Sequence, residues 1–441
     1  MPSRIQHSYV AVIGDLHVGS PENAQLEDFR CDDAFAGLLR DEIPKRAGGE
    51  HATLVVNGDF IDFPQILPKL GETSPAERLG TTEAESLRRV AKAVKGHPRV
   101  FAALRSFLEA GNQVLLLPGN HDIDLHFPTV LGAVREAVGV GVGTKLEPGF
   151  TFVAEGAIEE RGVFIEHGNQ YTYDNRFDHW SDPVRPVAGG ALRIERPWGT
   201  LFMDLVYSDI KQAYPFVNKV HPPQALAWII LRAIQDDPAA STKAIARLVL
   251  FFVVHGGRVL WEHAPTREEA TLAAGAAAGA GGVMPTRSDI ETMMQTLGLA
   301  MDAERRATVI DEVVATLPAT HESAEFTGGS DEARRGLLGG TDERGLEQRI
   351  RDLAASRGVR VVVLGHTHEP EDRVDESAAG ACRVLNPGGW IPRLVVAPGT
   401  FPSLQELRNA KLQHDLRYAW LTLGEQGANG EGPTGTLVKL S

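Results

Sequence analysis

Cysteine is scarce in this chain, since Cys31 and Cys382 are the only two among 441 residues. Two thiols cannot make a disulfide framework in a chain of this length, which favours a reducing compartment. Long apolar runs are also lacking. The longest stretch of large apolar residues, 248–254, is too short for a membrane-spanning helix, which needs about 20 residues. Residues 1–15 contain no signal-peptide-like apolar stretch. We therefore expect a cytoplasmic protein.

Basic residues are also fewer than acidic residues. Lys and Arg total 44 against 58 Asp and Glu, which gives a formal net charge of −14. Affinity for a phosphate backbone comes mostly from Lys and Arg, so this balance disfavours a nuclease and predicts no specific nucleic-acid partner. Bound cations would neutralise some of the carboxylates, so a local site can still be electropositive. Hydrophobic residues make up 43% of the chain, enough for a sizeable core.

Short apolar runs alternate with helical patterns along the chain. Alternating strands and helices predict an α/β fold with helices on the faces of a sheet. The predicted strands are Ser8–Ile13, Thr53–Val56, Val114–Leu117, Val163–Ile165 and Val359–Leu364. The predicted helices between them are Ala34–Glu42, Ala84–Lys95 and Val100–Glu109. Later runs predict strands at Arg383–Leu385, Leu394–Val396 and Tyr418–Leu423, and we expect the last two to be antiparallel.

A long gap without such motifs divides the chain. We predict a first part of the core at 1–170, a mostly helical insertion at 171–355 and a second part of the core at 356–441. Helices are expected at Pro222–Ile234, Ser241–Leu260, Ser288–Leu297 and Asp302–Leu317, with loose segments at 270–286 and 323–341. The insertion can form a packed helical subdomain that caps the site. Alternatively, its apolar stretches 225–231 and 248–260 can contact a second subunit or a membrane surface.

Metal-capable side chains follow five of the apolar runs. Ligands of α/β folds gather at the carboxyl ends of strands, which is where these five clusters fall. The segments are GDLHVG, NGDFID, PGNHD, IEHGNQ and LGHTH, and their candidate metal ligands are Asp15, His17, Asp59, Asn120, His167, His366 and His368. Asp15 and His17 are two residues apart, so on an extended backbone they would face the same way.

The chemistry of this set favours two metal ions. A central carboxylate such as Asp59 can bridge two cations, one through each oxygen. Mixed nitrogen and oxygen ligation suits transition metals better than Mg²⁺ or Ca²⁺, so we expect two divalent ions, with Mn first and Fe, Zn, Co or Ni as alternatives. Paired metals about 3.5–4 Å apart clamp the attacking and leaving oxygens of an in-line displacement. The sequence therefore predicts metal-assisted hydrolysis of a phosphoester.

The ordered motifs DLH, GD, GNHD, HG and GHTH resemble those of the calcineurin-like metallophosphoesterase superfamily, over residues 8–170 and 355–425. The resemblance implies a four-layer αββα sandwich, here with a large helical insertion. It also implies two ligand sets that share one carboxylate. The first set is Asp15, His17, Asp59 and His368, and the second is Asp59, Asn120, His167 and His366.

Two further residues gain catalytic roles from the same resemblance. His121 would donate a hydrogen bond or proton to the phosphate or leaving group, and Asp122 would orient it by accepting from its other ring nitrogen. Within the superfamily, the motifs resemble a bacterial branch that includes UDP-diacylglucosamine pyrophosphohydrolases. That branch continues its GN motif with Arg, whereas this chain has His121.

The implied reaction is hydrolysis of a phosphomonoester or phosphodiester on a small phosphorylated substrate, by direct attack of a metal-bridging hydroxide. Tyr171, Asn175 and Arg176 follow His167 and are the candidate substrate contacts, since guanidinium suits bidentate phosphate binding. One alternative is a pyrophosphohydrolase acting on a nucleotide-sugar or lipid phosphate. A second, from another class, is a non-catalytic scaffold on the same fold, which the full ligand set disfavours.

Overall fold

The computed structural model contains fifteen strands within the residues that it describes. These residues are 4–66, 82–172, 175–186, 192–195, 197, 199, 200, 203, 207–221, 287–296, 302–321, 343–377, 380–396, 403–424 and 432–440. In chain order the strands are β1 Tyr9–Ile13, β2 Ala52–Asn57, β3 Gln113–Leu117, β4 Phe150–Phe152, β5 Ala157–Glu160, β6 Val163–Glu166, β7 Val184–Pro186, β8 Leu192–Ile194, β9 Val220–His221, β10 Val361–Val363, β11 Glu371–Ser377, β12 Gly380–Asn386, β13 Leu394–Val395, β14 Arg417–Thr422 and β15 Thr434–Lys439.

Two mixed sheets contain most of these strands. The first has the order β15-β14-β1-β2-β3-β4, and β1 to β4 run parallel. The second has the order β11-β12-β10-β6-β5, with β12, β10 and β6 parallel. Ile13 lies opposite Val56, and Asn57 lies opposite Leu117, so the parallel strands end at one edge of the first sheet. The polar motifs that follow them therefore emerge together.

Helices cover the outer faces of both sheets. In chain order the helices of the described residues are α1 Asp32–Gly37, α2 Ile43–Arg46, α3 Glu83–Gly96, α4 Pro98–Glu109, α5 Pro128–Ala137, α6 Ser208–Ala213, α7 Arg287–Thr296, α8 Ala303–His321, α9 Glu343–Arg357 and α10 Leu404–Asn409. Helices α1 to α5 and α9 are the ones that cover the sheets. One apolar cluster joins α1 to α5 with the first sheet, and another joins α9 with the second. A third cluster lies between the sheets. This arrangement confirms the predicted four-layer α/β fold.

The central strands are apolar on both faces because both faces are covered. Side chains alternate across a strand, so successive residues enter different clusters. Leu54 and Val56 point toward the helices, whereas Val55 points into the layer between the sheets. On β3, Leu115 and Leu117 also point into the layer between the sheets. Such strands appear in the sequence as unbroken apolar runs.

Leu115→Ala should lower the free energy of unfolding by about 2–5 kcal/mol, because it leaves a cavity between two sheets that cannot close around it. Leu115 is fully buried, whereas Leu87 is 39% exposed and provides a matched control. Urea unfolding of both Leu→Ala variants measures the difference. Equal losses in the two variants would contradict the placement of Leu115 between the sheets.

Two elements differ in detail from their prediction, and a third agrees with it. The helix predicted at Ala34–Glu42 extends further, with α1 and α2 joined by a π-helical turn at Leu38–Glu42. The prediction that Tyr418–Leu423 is antiparallel is confirmed, since β14 pairs antiparallel with β1. The same prediction for Leu394–Val396 is wrong, because β13 pairs parallel with β9, a strand from the middle of the chain.

The region between His167 and His366 is described only in part. Helices α7 and α8 confirm the helices predicted at 288–297 and 302–317, although residue 297 lies outside the described part. The helices predicted at 222–234 and 241–260, the apolar stretches within them, and the loose segments 270–286 and 323–341 lie outside the described residues. The domain boundaries stay a prediction. Within the described residues, no helix combines the length and apolar character needed to cross a bilayer.

Candidate metal centre

The ends of the parallel strands have an unusual backbone. Among the described residues, six non-glycine residues have positive φ, and five of them are predicted metal ligands: Asp15, His17, Asp59, His366 and His368. This left-handed region is costly for a residue with a side chain and persists where surrounding structure enforces it, often at functional sites. The extended geometry predicted for Asp15 and His17 is therefore wrong, because both residues turn sharply after β1 ends at Ile13.

The first predicted ligand set comes together around His17. Asp15, His17, Asp59 and His368 each place one ligand-capable atom within 4.8 Å of the others. His17 Nε2 lies 3.0 Å from His368 Nε2 and 3.6 Å from Asp59 Oδ2, and His368 Nε2 lies 3.3 Å from Asp15 Oδ1. Two carboxylates and two imidazoles thus converge on one point, as a divalent cation requires.

The second set lies on the other side of Asp59. Asp59, His167 and His366 also bring ligand-capable atoms within 4.8 Å of one another. His167 Nε2 is 3.3 Å from Asp59 Oδ2 and 3.3 Å from Asn120 Oδ1. Asp59 belongs to both groups, as predicted, but the same oxygen faces both of them: Asp59 Oδ2 lies 3.6 Å from His17 Nε2 and 3.3 Å from His167 Nε2. The prediction of one oxygen for each group is therefore not seen in these contacts.

A backbone carbonyl orients one of these side chains, and two glycines leave the space that the candidate ligands occupy. His167 Nδ1 donates to the carbonyl of Asn57 at 2.9 Å, which leaves Nε2 as the nitrogen facing Asp59. Gly58 has a φ of +79°, and a Cβ there would lie 2.4 Å from His167 Nδ1. A Cβ at Gly119 would lie 2.1 Å from Asp59 Oδ1. Any larger residue at Gly58 or Gly119 would therefore displace a candidate ligand.

The electrostatics of the buried cluster favour cation binding. Burial alone would raise the pKa of Asp59, but His167 and His121 hold it well below its usual range, so the carboxylate is ionised. Burial would lower the pKa of His167, yet Asp59 raises it to about 10. Burial and the neighbouring His167 lower the pKa of His366 to about 3. Asp59 thus stabilises positive charge on His167, where a metal ion would replace the proton, while His366 stays neutral with a lone pair available to a cation.

His121 lies at the edge of the cluster, and its ring contacts Asp62. His121 Nδ1 is 2.7 Å from Asp62 Oδ1, and His17 Nδ1 is 3.5 Å from Asp62 Oδ2. Burial opposes the charged ring, but Asp59 and Asp62 raise the pKa of His121 to about 9. His17, Asp62 and His121 form the third group of converging ligand-capable atoms in the described part of the chain.

The orienting role predicted for Asp122 is not supported by its contacts. Its carboxylate accepts hydrogen bonds from the backbone N–H of Phe60 at 2.7 Å and of Gly119 at 2.6 Å. Asp122 therefore ties two motif loops together, while Asp62 takes the position beside His121. The sequence feature that could have identified Asp62 is the segment NGDFID, where a second carboxylate follows Asp59 by three residues.

With His121 as the predicted acid of a phosphoester hydrolysis, we expect Asp62→Asn to lower kcat by about 10- to 100-fold, as for other partners that orient a site histidine. An acid functions while protonated, so its activity is lost as pH rises through its pKa. Asp62 raises the pKa of His121. The variant should therefore lose activity at a lower pH than the wild type. A pH–kcat profile measured with metal content tests this, and an unmoved basic limb would contradict it.

The three residues predicted to contact substrate lie in different surroundings in the structure. Asn175 reaches the cluster, because its Oδ1 accepts from Asn120 Nδ2 at 3.3 Å. The hydroxyl of Tyr171 instead donates to Glu166, and burial together with that carboxylate raises the pKa of Tyr171 far above its usual value. Arg176 is exposed. Substrate binding by these residues stays a prediction, although the Tyr171 hydroxyl already donates to Glu166.

Comparison with known proteins adds a family match. Residues 8–198 match the sequence model of the calcineurin-like phosphoesterase family. The matched range contains Asp15, His17, Asp59, Asn120 and His167, while His366 and His368 lie beyond it. No curated protein matches the chain with significance. The match supports the superfamily that the motif order resembles.

Proposed function

We propose that this protein is a phosphoesterase that uses two divalent transition-metal ions and acts on a small phosphorylated substrate. The observation that carries the proposal is the pair of Asp/His groups that share Asp59 at the strand ends. The match to the calcineurin-like phosphoesterase family over residues 8–198 supports the reaction class.

The side chains present fit two such ions. Asp15, His17, Asp59 and His368 would hold one, and Asp59, Asn120, His167 and His366 would hold the other. Buried carboxylates, imidazoles and one amide oxygen are a donor set for Mn, with Fe, Zn, Co or Ni as alternatives. When bound, paired ions supply an activated water at neutral pH and stabilise negative charge on phosphoryl oxygens.

The chain's own groups account for the remaining steps. His121, held by Asp62, would donate a proton to the leaving oxygen. Neither cysteine suits a covalent mechanism, because burial raises the pKa of both Cys31 and Cys382 to about 11. Direct hydrolysis, without a phosphorylated enzyme, is the mechanism that these residues support.

The assay of this proposal uses p-nitrophenyl phosphate and bis-p-nitrophenyl phosphate with added Mn²⁺. We expect turnover that EDTA abolishes and Mn²⁺ restores, and the preferred ester separates a monoesterase from a diesterase. The non-catalytic scaffold predicts no turnover of either ester and no bound metal. Turnover that persists after metal removal would contradict the proposal.

Narrower assignments are predictions within this function. The motifs resemble a branch that contains pyrophosphohydrolases, so UDP-sugars and lipid phosphates are the substrates to test next. His121 replaces the Arg of that branch, and its contact with Asp62 gives it an acid role that Arg cannot fill. Manganese as the native metal, a cytoplasmic location, and a subunit or membrane contact through the insertion are likewise predictions.

A further inference from the structure

Thr172 contacts a candidate metal ligand through its hydroxyl group. Thr172 Oγ1 lies 2.9 Å from the carbonyl oxygen of Asn169 and 3.0 Å from Nε2 of His366. A hydroxyl has a single hydrogen, and the carbonyl can only accept, so Thr172 donates to Asn169. Toward His366 the hydroxyl then acts as acceptor, which requires a hydrogen on Nε2. The lone pair of His366 is consequently on Nδ1.

A second contact to His366 Nε2, from Asn175, does not change this assignment of the tautomer. Asn175 Nδ2 is 3.5 Å from His366 Nε2, which is at the limit for a hydrogen bond, and both groups carry hydrogens. The shorter contact with Thr172 therefore sets the tautomer of His366. The backbone carbonyl of Asn57 has the equivalent role for His167, where it accepts from Nδ1 and leaves Nε2 free.

Asn175 orients a second candidate ligand, Asn120, through a hydrogen bond. Its Oδ1 accepts from Asn120 Nδ2 at 3.3 Å, and a side-chain amide presents its oxygen on the opposite side from its nitrogen. Asn120 Oδ1 accordingly faces His167 Nε2, 3.3 Å away. Without an acceptor at Asn175, the Asn120 amide could rotate and present hydrogens to a cation.

Neighbouring side chains hold Thr172 and Asn175 at these positions. Asn169 is buried, and its Nδ2 donates to the carbonyl of Asn175 at 3.0 Å. Gln170 accepts from the backbone N–H of Phe177 at 2.8 Å and donates to its carbonyl at 3.1 Å. Phe177 is itself packed in the core. Contacts within the fold thus hold the pair in place.

We infer that Thr172 and Asn175 are positioning residues that select the atoms presented to the second metal, Nδ1 of His366 and Oδ1 of Asn120. This inference rests on the proposed two-metal function, and it reassigns Asn175 from substrate contact to support of the metal centre. It predicts that either residue affects retention of the second ion more than affinity for the ester.

Four variants of the full chain test the pair. Thr172→Val and Asn175→Leu remove the acceptors at similar volume, whereas Thr172→Ser and Asn175→Asp keep them. Thr53→Val is the matched control, because it deletes a buried hydroxyl, bonded to Gln113 at 2.8 Å, near the start of β2. The measurements are Mn²⁺ titration by calorimetry, the exchange-coupled Mn²⁺ EPR signal, and kcat and KM at several Mn²⁺ concentrations.

We expect Thr172→Val and Asn175→Leu to weaken the second Mn²⁺ by about 10- to 100-fold and to lose the coupled EPR signal, while the first ion and KM for the ester stay unchanged. Thr172→Ser, Asn175→Asp and Thr53→Val should bind both ions as the wild type does. Wild-type binding of both ions by Thr172→Val and Asn175→Leu would overturn the inference and leave the proposed function standing. A wild-type protein with no coupled pair of ions would overturn both.

Discussion

Asp59→Asn should abolish binding of both metals and reduce kcat/KM by about 10³-fold or more. Metal ions contribute several kcal/mol of transition-state stabilisation, and each 1.4 kcal/mol corresponds to about a factor of ten in rate. The predicted loss is larger than for any other single ligand, because Asp59 is the residue common to both groups.

The physical reason lies in the two oxygens of Asp59. Oδ1 accepts from the backbone N–H of His121 at 2.9 Å, and Oδ2 faces His167 Nε2 at 3.3 Å. An asparagine amide would place hydrogens at one of these positions and would also remove the negative charge that attracts two cations. Neither orientation of the amide restores both contacts.

Metal analysis of the purified variant, together with ester hydrolysis, measures this effect. Asp41→Asn is the control, since Asp41 is exposed and paired with Arg40 at 2.6 Å on the surface. Asp41→Asn should retain the metals and the activity of the wild type. Full metal content in Asp59→Asn would show that this carboxylate does not bridge the two sites.

His121→Asn should keep both metals and lose rate, by about 10²- to 10⁴-fold in kcat, the usual contribution of a general acid. His121 lies beside the cluster, its backbone N–H contacts Asp59, and its ring contacts Asp62. Substitution of the side chain leaves that backbone contact in place. The effect should therefore fall on the chemical step.

The size of the loss should depend on the leaving group. An alkyl phosphate needs protonation of its leaving oxygen, whereas p-nitrophenolate leaves without help. We expect His121→Asn to slow an alkyl ester more than the p-nitrophenyl ester, in assays at equal metal content. Equal losses for both esters would argue against proton donation and would leave His121 with a binding role only.

The sequence predicted the core strands well because their burial on both sides leaves a strong pattern. Val55, Leu115 and their neighbours form unbroken apolar runs, and the metal-capable residues follow directly where those runs end. Polar residues at strand ends must converge when parallel strands share a register, as Ile13 and Val56 do. The convergence of these Asp and His side chains could therefore be predicted from the sequence.

Other features depended on contacts that spacing does not encode. Asp62 is the partner of His121 through a contact across 59 residues of chain, whereas Asp122, the next residue after His121, instead accepts from the backbone N–H of Phe60. The left-handed backbone of Asp15 and His17 could not be deduced from an i, i+2 pattern. No sequence motif pointed to Thr172, because its proposed role depends on a contact with His366, which is far away along the chain.

The metal stoichiometry of the full chain, determined as Mn²⁺ titration of the metal-free protein restores activity, tests the shared role of Asp59 most directly. We expect hydrolysis to appear only as two ions bind per chain. Full activity with a single ion per chain, or with none, would contradict the central role of two groups that share Asp59.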